Sequence, residues 1–210
     1  MNKIDAIYYI NLSHRQDRKQ KMIEWIQQSG FPLEKVNRID AIYNNEKGYI
    51  GCTMSHINAI QTFIESNKEI CIIYEDDYDP IDVNNYWTNV QKIFDSKLPF
   101  HAVLMAYNDY LLSVENTDFE YIKRVLRTYT ASGYMITKQF APILLKNFKQ
   151  CLSYCFEEER ITGKNTERFC VDVHWIQLME RYVFLCFYPR LGVQRKDYSD
   201  ILKKIVDYKC

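Results

Sequence analysis

Cys71-Ile72-Ile73-Tyr74-Glu75-Asp76-Asp77-Tyr78 is the stretch whose reading decides the fold. An apolar run from Ile70 to Tyr74 ends in three consecutive carboxylates, and Asp79-Pro80 follows as a turn signal. A short continuous apolar run bounded by turn residues suits a strand buried on both faces, as in a parallel sheet. The carboxylates then fall at the strand's C-terminal end, the edge of open α/β sheets where ligands bind. Three adjacent anions repel one another. A solvated acidic turn tolerates this in water, whereas a divalent cation with hard oxygen ligands removes it. The apolar strand in front favours a metal or sugar site.

Upstream, residues 6–12 (Ala-Ile-Tyr-Tyr-Ile-Asn-Leu) read as a buried first strand with Asn11 near its end. Ser13 begins a helix with Gln16 as capping-box partner, Met22, Ile23 and Ile26 form its apolar face, and Gly30 then Pro32 end it. Arg15 and Arg18 fall in its first turn, where cations oppose the helix dipole at a cost of about 0.3–1 kcal/mol. They are either two solvated arginines or a phosphate-capturing pair working with helix N–H groups. Residues 33–39 predict a second strand ending at Asp40-Ala41, where an acidic residue often receives a ribose or base edge. Ile57, Ile60, Phe63 and Ile64 recur at helical spacing, so a helix starts near Gly51 or Cys52 and carries Ser55 and His56 in its early turns. A helical histidine is a structural residue or, beside a glycine-flanked helix start, a site-lining one.

Downstream, helices are predicted over 84–94, 138–152 and 169–181, and strands over 100–106, 131–136 and 183–188. Residues 121–130 read as a strand or hairpin arm, 157–168 as a charged exposed loop or flap, and 201–206 as a short amphipathic element. Gly133 permits close backbone approach. Asp172 and His174 begin the 169–181 helix and are read as pointing into one cleft, with Asp172 alternatively an N-cap. The alternation predicts an α/β fold, a mostly parallel sheet flanked by helices, with an added antiparallel part in 107–136.

The 210 residues suit a single domain over 1–210, and 47% hydrophobic content predicts a packed core. With 27 basic and 27 acidic side chains, nothing points to nucleic acid or an anionic membrane. The seven cysteines are odd in number and scattered, which predicts reduced thiols in a reducing compartment. Cys151 and Cys155, four apart, make no zinc signature alone. No signal peptide or membrane-spanning run is read, so a cytoplasmic location is expected, the host's if the chain is viral. The abundance of Tyr, Ile, Lys and Asn matches AT-rich coding and says little about mechanism.

Several pieces, in order, resemble glycosyltransferase family 25, the lipooligosaccharide and procollagen galactosyltransferases. They are Ile7-Tyr8-Tyr9-Ile10-Asn11-Leu12 with Arg15 and Arg18, Asp40-Ala41-Ile42, Ile50-Gly51-Cys52-Thr53-Met54-Ser55-His56, and Ile73-Tyr74-Glu75-Asp76-Asp77. Ser132-Gly133-Tyr134-Met135-Ile136 and the Gln194 … Ser199-Asp200-Ile201 ending complete the set. The resemblance implies a GT-A-like nucleotide-diphosphosugar transferase fold, a UDP-hexose donor (UDP-galactose or UDP-glucose) and Mn²⁺. It implies metal binding by Asp77 with Glu75, with His174 a further metal ligand or a base, and nucleotide binding by Asn11, Leu12, Arg15, Arg18, Asp40 and Asp76. Gly51, Ser55 and His56 would line the donor pocket. Asp172 would be the general base, with Asp200 in reserve. Residues of about 1–80 would form the donor half and about 81–210 the acceptor half. The implied acceptor is hydroxylysine or galactosyl-hydroxylysine of a collagen-like chain, or alternatively a lipooligosaccharide glycan. Tyr74 stands where many relatives carry an aliphatic residue, and 109–121 match nothing useful. A homo-oligomer is left open.

Two rivals are weighed. A phosphoacceptor receiver domain places its acidic pair after the first strand, whereas here two strand–helix units precede the acidic run. The other is a degenerate sugar-binding or interaction module, and a bare interaction module would lack metal-dependent UDP-sugar binding.

Overall fold

Successive side chains leave a strand on opposite faces, and here both faces of the central strands are covered. The computed structural model describes residues 3–163 and 169–210. The chain runs β1 (Ala6–Asn11), α1 (Gln16–Gln28), β2 (Val36–Asp40), α2 (Gly48–Glu65), β3 (Ile70–Glu75), β4 (Tyr78–Pro80), α3 (Tyr86–Asp95) and β5 (Ala102–Leu104). It continues through β6 (Ser113–Asn116), β7 (Ile122–Arg127), β8 (Gly133–Thr137), α4 (Ala141–Thr162), α5 (Val171–His174), α6 (Ile176–Met179), β9 (Phe184–Phe187), β10 (Gly192–Gln194), β11 (Asp197–Ser199) and β12 (Lys204–Val206). Tyr8, Ile10, Cys71 and Ile73 join one core with Ile60 and Phe63 of α2 and Leu144 and Phe148 of α4. Their neighbours Ile7, Tyr9, Ile72 and Tyr74 join a second core with Met22 and Trp25 of α1 and Val90 and Ile93 of α3. The result is a helix–sheet–helix sandwich.

The main sheet has the order β2-β1-β3-β8-β5-β9-β7-β6. β1 pairs parallel with β2 and β3, and β5 with β9. β8 runs antiparallel between β3 and β5, while β7 is antiparallel to β9 and to β6. Only β8 and β7 therefore oppose the remaining strands. The expected architecture forms, and its antiparallel part lies in the region the sequence assigned to it. Among the described residues, no helix is long and apolar enough to cross a membrane.

Several local expectations shift. α1 begins at Gln16 behind Arg15, with no side-chain cap, because the Gln16 amide donates to the Ser13 carbonyl instead of closing a capping box. The second strand starts at Val36, after a 3-10 turn over Leu33–Lys35. α2 begins at Gly48 rather than Gly51. α4 continues to Thr162, so the charged residues 157–162 are helix, not loop, and Gly163 ends the helix at φ 65°. The rest of the proposed flap, 164–168, lies outside the described residues. The 169–181 helix is two short ones, α5 and α6. The 201–206 element ends in β12, hairpinned to β11.

Tyr74 has a structural explanation. Its hydroxyl and that of Tyr78 each lie 2.7 Å from the Tyr86 hydroxyl, a buried triad satisfied without water. Gly133 and Gly192 make room for it, since a Cβ on either would fall within 2.7 Å of the Tyr78 ring.

Candidate active site

The chain passes from β1 to β2 on one side of β1, then crosses to β3 on the other. This reversal of strand order opens a crevice at the C-terminal ends of the two strands, where ligands of open α/β sheets bind. Asn11 ends β1 and Glu75 ends β3, and the Asn11 amide donates to Asp76 Oδ2 at 2.7 Å across the gap. A cavity of about 110 Å³ opens there, lined by Leu12, Arg18, Ser55, His56, Asp77 and Asp200 among others. A second, of about 320 Å³, is lined by Thr130 and Asp172. Cys52, Glu75, Gln194, Ile201 and Tyr208 line both, so the two cavities meet at the end of β3.

The three carboxylates are held in different ways. Arg18, buried, donates through Nη1 to Asp76 Oδ1 at 2.9 Å and Asp77 Oδ2 at 3.1 Å, through Nε to Asp197 Oδ2 at 3.0 Å, and through Nη2 to the Tyr198 carbonyl at 2.9 Å. Part of the repulsion read from the sequence is thus answered by a buried guanidinium. Asp76 spends both oxygens on Arg18 and Asn11, yet burial outweighs them and raises its pKa. Glu75 lies lower than usual: burial opposes ionisation, but His56, with Nε2 3.0 Å from Glu75 Oε1, outweighs it. The second His56 nitrogen, Nδ1, lies 2.9 Å from the Tyr134 hydroxyl. Asp77 is the exception. Burial and the Glu75 charge, only partly offset by Arg18, push it up to about 7. Its Oδ1 is buried with no hydrogen-bond partner among the described residues. An unpartnered buried carboxylate oxygen needs a compensating group. Glu75 Oε2 has only a 3.4 Å contact from Gln194. Together these oxygens suit a hard cation.

Asp172, half-buried at the second cavity, accepts the Thr130 N–H at 3.1 Å. Burial raises its pKa despite that bond, and the Glu75 charge adds to the rise. Asp200 is different. Burial works against its charge, but Arg15 at 2.9 Å and His14 at 3.2 Å outweigh burial and hold it below the usual range. Arg15 also donates to Asp17 and Asp197, so its guanidinium is spoken for.

The structure does not bring every expected residue to the crevice. The Asp40 side chain is 79% exposed, pairs with Arg38 and lines neither cavity. His174 lines neither cavity: its ring packs against Tyr154 and Phe169 and its Nε2 meets Gln177. Residues i and i+2 of a helix do not share a face, so Asp172 and His174 diverge. Ser55 is at the cavity, but its hydroxyl donates to the Gly51 carbonyl and accepts the Ile42 N–H, which pins the loop after β2. Gly51 serves the same junction, since a Cβ there would stand 2.3 Å from the Ile42 carbonyl oxygen. Gly51→Ala is therefore expected to cost about 1–3 kcal/mol by overpacking, read as a lower urea midpoint.

Asp197, Cys52 and Tyr208 were given no role by sequence reasoning, and Gln194 none beyond the resemblance. Asp197 bridges Arg15 and Arg18 from residues 182 and 179 positions away. The one sequence signal was the polar run from Gln194 to Asp200, rich in charge after a buried strand.

No protein-family model matches the chain, and no curated protein does. Among solved structures, the chain is similar to a mannose-1-phosphate geranyltransferase from Thermus thermophilus, with TM-score 0.49, 8% identity, and coverage of 95% of this chain and 76% of that one. It is similar to a glycosyltransferase involved in the glycosylation of the major capsid of PBCV-1, with TM-score 0.49, 10% identity, and coverage of 94% and 95%. An apo UDP-glucose pyrophosphorylase gives TM-score 0.48 and 9% identity over 87% of this chain and 72% of that one.

Proposed function

We propose that the chain is a GT-A-like glycosyltransferase that moves a hexose from a UDP-sugar to an acceptor hydroxyl. Asp77 carries the reading: a buried carboxylate with an unpartnered oxygen and a raised pKa, at the end of β3 beside the strand-order reversal. Mn²⁺ is the cation the family resemblance implies, and Asp77 with Glu75 would hold it. When bound, it supplies positive charge to the leaving diphosphate. Asn11 and Asp76 brace the nucleotide side of the crevice. Arg18 lines it and Arg15 stands behind Asp200, their cationic charge now matched by Asp197 and Asp200, carboxylates that a diphosphate would exchange with. Asp172 takes the acceptor hydroxyl's proton as the acceptor oxygen bonds to the anomeric carbon and the bond from that carbon to the diphosphate breaks. A raised pKa suits this base, because proton transfer is best when base and working pH are close.

The acceptor favoured is hydroxylysine or galactosyl-hydroxylysine of a collagen-like chain, with a lipooligosaccharide glycan as the alternative and galactose and glucose both candidate donors. A sugar-binding module without turnover is the non-enzyme reading. The test is UDP release and acceptor mass gain with UDP-galactose and UDP-glucose, with and without Mn²⁺, across hydroxylysine, galactosyl-hydroxylysine and lactose acceptors. Metal-dependent transfer to one acceptor supports the reading. UDP binding without transfer to any acceptor favours the binding module.

Asp200 separates the two candidate bases. Held ionised by Arg15 and His14, it is a poor proton acceptor at neutral pH. Asp200→Asn should keep kcat within about threefold and, by freeing Arg15, tighten UDP binding by about twofold to fivefold, the scale of a partly exposed ion pair. Calorimetric titration with UDP and steady-state rates check both.

A further inference from the structure

Cys52 and His56 stand at i and i+4 on α2, so their side chains share one face. That face meets the end of β3. His56 Nε2 lies 3.0 Å and Cys52 Sγ 3.6 Å from Glu75 Oε1, and the three donor atoms all fall within 4.8 Å of one another. Around a tetrahedral zinc with metal–nitrogen and metal–oxygen bonds of about 2.0–2.1 Å and a metal–sulfur bond of about 2.3 Å, neighbouring donors stand about 3.3–3.6 Å apart. The two short separations match that spacing to within a few tenths of an ångström. His56 is fully buried and its Nδ1 is engaged by the Tyr134 hydroxyl at 2.9 Å. A metal-binding imidazole commonly has its far nitrogen fixed in this way by an outer partner.

We propose that Cys52 Sγ, His56 Nε2 and Glu75 Oε1 bind a zinc-class divalent cation, its fourth position open to the cavities that Cys52 and Glu75 line. The donor set selects the ion: thiolate and imidazole suit zinc, whereas Mn²⁺ prefers oxygen. Glu75 Oε2 points to Gln194, which also reaches Asp77 Oδ2, so the two oxygens of Glu75 face different neighbours. On binding, the Cys52 thiol loses its proton to solvent, and His56 Nε2 and the Glu75 carboxylate take up the ion in place of their contact with each other. The site shares Glu75 and the crevice with the transferase reading but uses the other carboxylate oxygen and needs no transferase activity to be tested.

The test uses the full chain, stripped with a chelator and titrated with Co²⁺ as spectroscopic probe. One equivalent should give a thiolate-to-cobalt charge-transfer band in the near ultraviolet, abolished by competing Zn²⁺ but not by equimolar Mn²⁺. Cys52→Ser should lose the band. Cys210→Ser, which removes another thiol lining the second cavity, should keep it. Tyr134→Phe should weaken binding about 10–100-fold. If Cys52→Ser misfolds, zinc-edge X-ray absorption on the wild type decides, with one sulfur expected at about 2.3 Å. No band, a band surviving in Cys52→Ser, or a zinc sphere of nitrogen and oxygen alone would overturn the proposal and leave a metal-free Tyr134–His56–Glu75 relay. UDP titration of the same stripped chain, with and without Mn²⁺, reports on the transferase reading separately.

Discussion

Asp172→Asn is expected to lower kcat by about 10²–10⁴-fold, the contribution of a positioned base, while UDP affinity stays within about twofold. Asp172 lines the second cavity, across the end of β3 from the crevice proposed for the nucleotide, so on that proposal its loss would touch the acceptor proton and not the donor. Its orientation is built into the backbone. Thr130, whose N–H it accepts, sits at φ 89°, a conformation a β-branched residue rarely adopts and one that costs about 1–3 kcal/mol. Burial raises the Asp172 pKa, and the Glu75 charge adds to it. Activity should therefore fall as pH drops through that raised value, because the base becomes protonated. The acidic limb of kcat/KM should disappear in Asp172→Asn. A variant that kept the limb would assign the base elsewhere. Stability should not fall, since the fold already favours the neutral form of this side chain.

Asp77→Asn is expected to abolish metal-dependent UDP binding and yet stabilise the protein at alkaline pH. The two effects share one cause. With a folded pKa of about 7 against an ordinary value of about 3.9, the folded state holds a proton that the unfolded state releases between those values. Wild-type stability therefore falls as pH rises from about 4 to about 7, and the full cost is present above 7. Below about 4 both states are protonated and the cost is absent. Asparagine mimics the neutral form throughout. Three units correspond to about 4 kcal/mol. Arg18 and Gln194 lose part of their partner in the variant, so a gain on the order of 1–3 kcal/mol is expected at pH 8. The melting temperature of Asp77→Asn should exceed that of wild type by several degrees at pH 8 and converge with it near pH 4. Mn²⁺ should raise the wild-type value at pH 8 and leave the variant's unchanged. A variant destabilised at pH 8 would mean that the Asp77 charge supports the fold through Arg18.

Much of this was legible in the residues. β3 announces itself because an unbroken apolar run is what a strand buried on two faces requires, and the acidic triplet fixes where that strand ends. Direction was legible by region, as an antiparallel part within 107–136, but not strand by strand. A two-faced buried strand reads the same whether its neighbours run parallel or antiparallel, so the insertion of β8 between β3 and β5 left no local mark. The tail of α4 was misread for another reason. Glu157-Glu158-Glu159-Arg160 is charged, and charge was taken as loop, although Glu and Arg are strong helix formers on an exposed face. His174 was placed beside Asp172 by sequence proximity, which helical geometry does not convert into a shared face. Asp40 follows Ile39, which points into the core, so strand alternation turns it outward. The Arg15–Arg18–Asp197 clamp joins the two ends of the chain, and no window of sequence displays such a contact.

The most direct test of the central claim is calorimetric titration of UDP into the full chain at pH 7.5, with and without Mn²⁺, repeated at pH 5.5. The account predicts binding that requires Mn²⁺ and weakens by about tenfold or more at the lower pH, because metal and proton compete for Asp77. Binding of equal strength without Mn²⁺, or insensitive to pH over this range, would contradict it.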